Sequence, residues 1–151
     1  WPIHGIVNLL NLIMRGVFDK YPDLDVVFQE AGHWWVPFLR YRMDEFYEMH
    51  PEDVQLTPRK HAAGERYLDR TPSAYLDDNV YLCTQPFAMP RNASEAEAML
   101  ELSHAEQLFT YSSDWPHQTL DPPTWFYTSR AFDDDTREAI LHGNAEEILD
   151  I

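Results

Sequence analysis

Three short clusters in this chain of 151 residues combine polar groups able to do chemistry with turn residues. These are Glu30 to Trp35, Gln85 with its neighbours, and Asp114 to His117, and each follows directly on a short apolar run. Asp114, within "SSDWPH", is the strongest candidate. A carboxylate at the end of a buried strand can bind a divalent cation or take a proton from metal-bound water, because the cation stabilises the ionised acid and acidifies the water. It can equally cap its own loop through backbone N–H groups, with Pro116 fixing the turn. His117 can ligate metal, shuttle a proton or pack at the loop. Glu30 and His33 pose the same choice: both can face a pocket, or Glu30 can be satisfied by backbone donors while His33, Trp34 and Trp35 pack as core. The pattern favours a working Glu30 and a packed His33. Arg42 can pair with a substrate carboxylate or with Glu45 nearby. His4, His50, His61, His104 and His142 show no ligand spacing, and Cys83 sits inside a strand pattern that reads as packing.

These clusters need elements that hold them in place. From Ile6 to Phe18 apolar residues recur at spacings of three and four, which predicts an amphipathic helix closed by "DKYPDL". Val26 to Phe28 is short, β-rich and bounded by turn residues, so it reads as a buried strand. Val36 to Met49 returns to helical spacing, with Pro37 tolerated in the first turn. From Pro51 to Thr71 the chain turns polar and loses periodicity, long enough to be a functional or mobile loop. Val80 to Cys83 is a second strand, and Ser94 to Leu102 a helix whose Ser94 and Glu97 fit a capping box. Leu108 to Tyr111 is a third strand, and Thr136 to Leu149 a last helix whose period Gly143 and Asn144 interrupt. Strand then helix, repeated, argues an α/β fold with a parallel sheet. In such sheets the working residues gather at the C-terminal strand ends, where all three clusters lie.

Composition narrows the partners. A net charge of −15 disfavours nucleic acid and anionic membranes. Only Lys20 and Lys60 are lysines and the acidic residues are spread throughout, which suits either a halophilic protein or an ordinary acidic cytoplasmic enzyme. With Cys83 alone no intrachain disulfide can form, so a cytoplasmic compartment is expected. No run reaches the roughly 18 apolar residues of a membrane span. There is no phosphate-cradling glycine loop, nucleophile elbow or HExxH pair.

The blocks "GVFDKYPDLDVVFQEAG", "WVPFLRYRMDEFY", "RTPSAYLDDNVYLCTQP", "LFTYSSDWPH" and "ILHGNAEEILDI" resemble, in that order, the C-terminal half of the amidohydrolase-related family. This is the branch of aminocarboxymuconate semialdehyde decarboxylase and resorcylate decarboxylase. The resemblance implies a partial TIM-like (β/α) barrel, the last three to four βα units of a single domain that 1–151 covers in part. The strand before Asp114 would be the eighth, and "GNA" would open the segment closing the barrel. Asp114 would be the aspartate at the metal, a zinc or manganese ion, and would act in catalysis with Glu30. Glu30 stands where the family's decarboxylases carry a catalytic histidine. Arg42, His33, Trp115, His117 and Gln85 would contact substrate.

The family's first-strand HxH or ExH motif and the histidine after its fifth strand would precede this sequence. A complete barrel takes about 250 residues, so this chain would expose sheet edges and an apolar face, for which a homo-oligomer is the expected remedy. For the full-length protein the reading is metal-dependent hydrolysis of a small carboxylated or cyclic molecule, Glu30 tipping it that way. Non-oxidative decarboxylation is the alternative. A third reading is that the chain by itself holds no metal and is an inactive, self-associating part of the barrel.

Overall fold

The computed structural model describes residues 2–54 and 68–151. The middle of the polar stretch after Pro51, with His61, lies outside them. The chain runs α1 (Pro2–Met14), α2 (Val17–Lys20), β1 (Val26–Phe28), α3 (Val36–Met49), a 3-10 turn (Pro51–Asp53), α4 (Pro72–Asn79) and β2 (Val80–Cys83). It continues with α5 (Ala93–Ser103), α6 (Ala105–Leu108), β3 (Phe109–Thr110), α7 (Thr124–Thr128), α8 (Asp134–Glu138), a π-helical turn (Ala139–Gly143) and α9 (Asn144–Leu149). The strands form one sheet in the order β1-β2-β3. Both pairs are parallel, with Phe28 opposite Leu82 and Leu82 opposite Phe109. This register brings the three C-terminal strand ends side by side, as the α/β pattern requires.

Several expected boundaries move, each for a local reason. The helix expected over Ile6 to Phe18 breaks at Gly16, whose φ of 63° is open to glycine at little cost and whose N–H returns to the Ile13 carbonyl. α5 starts one residue before Ser94, so the Ser94 and Glu97 capping box is not formed and Asn92 takes the N-cap place. Leu108 belongs to α6, which shortens β3 to two residues. The last helix starts at Asp134, because the Asp133 carboxylate accepts the Thr136 N–H at 2.7 Å, an N-cap bond that also holds this acid below its usual range. Where Gly143 and Asn144 interrupt the period, the helix widens to a π-turn. The Asn144 N–H reaches back to Ala139, which leaves the Ile140 carbonyl to accept the Tyr111 N–H at 2.7 Å. Asn144 itself is buried and donates to the carbonyls of Glu106 and Phe109, at 3.0 and 2.7 Å, fastening "GNA" to the foot of β3.

Leu82, Phe109, Leu108, Met43, Leu76, Phe87 and Phe126 are among the fully buried residues of one continuous core. Across it α3 and α4 are joined at two heights. Arg40 forms a two-pronged ion pair with Asp77, at 2.9 and 2.5 Å, and Asp44 accepts the Ser73 N–H at 2.8 Å. Ile3 and Val7 of α1, Val27 of β1 and Phe38 of α3 stay exposed, and an apolar groove of about 580 Å³ separates α1 from α3. Among the described residues no helix is long and apolar enough to cross a membrane.

Candidate functional site at the strand ends

Glu30 and Asp114 share an unusual backbone state. Both leave their strands in the left-handed region, with φ of 52° and 59°. Residues other than glycine adopt it at a cost of about 1 kcal/mol or more, and such residues concentrate where geometry serves function. The turns throw both carboxylates toward the same point. Ligand atoms of Glu30, Asp114 and His117 all lie within 4.8 Å of one another.

The capping role open to Asp114 in sequence is taken by its neighbour, since Ser113 Oγ accepts the Trp115 N–H at 3.2 Å. The Asp114 carboxylate instead lies 2.8 Å from His117 Nδ1 and accepts from Thr119 Oγ1 at 3.3 Å. Its side chain is mostly buried, whereas Glu30 and His117 are exposed. Two carboxylates and an imidazole form an oxygen and nitrogen donor set that suits zinc or manganese. Donors sharing one ion at about 2.1 Å each stand no more than about 4.2 Å apart, so rotation of the exposed Glu30 or His117 side chain closes the difference. The residues therefore fit a divalent cation.

The other predicted residues fall in different places. Trp115 is largely exposed beside Asp114, as a residue at the rim would be. Gln85 is buried, and its side-chain amide donates to the Thr119 carbonyl at 3.2 Å, so it braces the Asp114 loop from within. His33 is 1% exposed, its ring 4.5 Å from that of Phe87 and 5.4 Å from that of Phe109. Among the described residues neither of its ring nitrogens has a hydrogen-bond partner. Burial pushes its pKa down to about 4, against a weaker pull from the Phe87 backbone, whose geometry makes no hydrogen bond. In the described residues His33 is packed in the core rather than facing an open pocket. Arg42 is paired with Glu45 at 2.5 Å and lines the groove between α1 and α3. That placement is the ion-pair alternative, and it leaves Arg40, two residues earlier, as the buried arginine of α3.

Sequence reading missed Asp121. Its carboxylate is buried and accepts the Phe87 N–H at 2.7 Å; burial raises its pKa, and the nearby Asp114 charge adds to the rise. The "DPP" after the loop was the only signal, and it reads first as a turn.

The sequence profile of the amidohydrolase family matches residues 3–151. The chain belongs to that family. The chain is 28% identical over 143 residues to a gamma-resorcylate decarboxylase of Polaromonas sp., covering 95% of this chain and 39% of that protein. Among solved structures it is similar to the dihydroxybenzoic acid decarboxylase of Polaromonas sp. JS666, crystallised with manganese and 2-nitroresorcinol, at a TM-score of 0.63 and 24% identity. That likeness covers 96% of this chain and 39% of the other. It is also similar to the 5-carboxyvanillate decarboxylase of Novosphingobium aromaticivorans, complexed with manganese and 4-hydroxy-3-methoxy-5-nitrobenzoic acid. There the TM-score is 0.69 at 23% identity, over 97% of this chain and 38% of the other. The chain thus spans about two fifths of the length of the curated relatives it matches.

Proposed function

We propose that the whole protein is a metal-dependent, non-oxidative decarboxylase of hydroxylated aromatic carboxylates. In this reading β1, β2 and β3 are consecutive staves of a (β/α) barrel, and Asp114 is a ligand of its divalent ion. The observation that carries it is the convergence of Glu30, Asp114 and His117 at the strand ends of a chain whose curated relatives are gamma-resorcylate decarboxylases. When bound, the ion would supply a positive charge that stabilises an anionic, carboxylated substrate. Asp114, mostly buried and tied to Thr119, keeps its carboxylate at that site. Glu30 and His117, exposed beside it, are the groups placed to move a proton to or from the ring. Trp115 offers an apolar face at the mouth that excludes water.

Sequence alone tipped the reaction toward hydrolysis through Glu30; the relatives favour decarboxylation, in which the ion positions a carboxylate rather than activating water. The test is to incubate the manganese-loaded whole protein with gamma-resorcylate and 5-carboxyvanillate and follow loss of the carboxyl group by chromatography. We expect turnover that Asp114→Ala reduces by a factor of 100 or more, on the order of what removing a central electrostatic group costs. Cleavage of lactones or amides with no decarboxylation would return the reading to a hydrolase.

A further inference from the structure

Loop 113–121 carries both Asp114 and His117, and it is closed on itself by one residue. The Asp121 N–H donates to the Ser113 carbonyl at 3.0 Å, and the Asp121 carbonyl accepts from the Tyr111 hydroxyl at 2.8 Å. The Asp121 carboxylate then reaches across to the next strand's loop and accepts the Phe87 N–H at 2.7 Å. Three groups of one residue thus fasten the loop's end to its beginning and both to the loop after β2. The connection runs on to the cluster: Gln85 Nε2 holds the Thr119 carbonyl at 3.2 Å, and Thr119 Oγ1 donates to Asp114 at 3.3 Å.

As a device for stability alone this is a poor choice. A buried carboxylate with a single backbone donor keeps most of its desolvation cost, and a second carboxylate near it adds repulsion. A neutral side chain would close the loop at less cost. What the arrangement does provide is a fixed spacing between the ends of a loop whose middle presents Asp114 and His117 to a common point.

We propose that Asp121 is a positioning residue for the cation site, clasping loop 113–121 to the Phe87 backbone so that Asp114 and His117 stand together opposite Glu30. This rests on the metal reading given above. The acceptor oxygen performs the clasp, so an amide in its place serves as well. The ionic charge is not required.

The experiment is titration of the whole protein with Mn²⁺, followed by the paramagnetic resonance signal of the free ion, alongside amide exchange at Phe87. Asp121→Ala is expected to weaken Mn²⁺ binding about tenfold or more, as loss of outer-shell support does elsewhere, and to speed exchange at Phe87. Asp121→Asn keeps an acceptor oxygen and should restore both. Tyr111→Phe, which deletes only the hydroxyl on the Asp121 carbonyl, should weaken binding more mildly while far-ultraviolet dichroism stays unchanged. If Asp121→Ala does not fold, this variant and Asp121→Asn decide. Equal affinity across the folded variants overturns the proposal, and so does an Asn variant as weak as the Ala one, because charge would then be the cause. Absence of Mn²⁺ uptake by the unaltered whole protein overturns the metal reading itself, a failure visible before any variant is made.

Discussion

Acid should destabilise this protein through His33, by an amount that follows from where the ring lies. Its neighbours Trp34, Phe87 and Phe109 are aromatic, and its nitrogens find no partner among the described residues, so the folded chain holds it neutral. In the unfolded chain the ring gains a proton as the pH falls through its ordinary value of 6.5; in the folded chain it resists until about 4. Protons therefore favour the unfolded state across that window. The contribution is absent above about pH 7, begins near 6.5 and is complete near 4. Each pH unit of difference is worth about 1.4 kcal/mol, so the whole window costs about 3 kcal/mol. That is a large share of the roughly 5–15 kcal/mol that stabilises a domain. Carboxylates also titrate here, so the measurement must be a difference. Urea unfolding of the unaltered chain and of His33→Phe at several pH values between 7.5 and 4 isolates the imidazole, since the carboxylates are common to both. The phenylalanine variant should gain on the unaltered chain by about 3 kcal/mol over this range. Two curves that stay parallel would refute the reasoning and mean that the ring finds a proton acceptor or water.

The two arginines of α3 should separate sharply. Arg40→Leu leaves Asp77 without its two-pronged partner in a largely buried place and should cost about 3–5 kcal/mol in urea unfolding. Arg42→Ala removes an exposed pair and should cost under about 1 kcal/mol, with Mn²⁺ binding unchanged. Asn144→Leu strands the carbonyls of Glu106 and Phe109 and should cost about 2–4 kcal/mol, read as a lowered thermal midpoint.

Three strands, their parallel pairing and the family were legible in sequence because they depend on short-range pattern. Val26 to Phe28 and Val80 to Cys83 stand at their expected bounds, as does the helix Val36 to Met49. α4 and α7 were missed, since "PSAYLDDN" and "TWFYT" are too short for a periodic apolar face to show. Ser94 resembled a cap by spacing, yet the choice between Asn92 and Ser94 depends on where α5 meets the core.

What the sequence by itself determined is which residue types stand at the ends of which strands: Glu30, Gln85 and Asp114 follow from apolar runs that end in turns. What only the tertiary structure decided is which of them meet. Side-chain direction after a strand depends on one or two backbone angles, and the left-handed turns at Glu30 and Asp114 carry those acids to one point while His33, three residues from Glu30, turns into the core. Arg40 and Arg42 differ by two positions on one helix, about 200° of rotation, which sends one into the core and the other to solvent. No local pattern records that difference, because it is set by the elements packed against the helix.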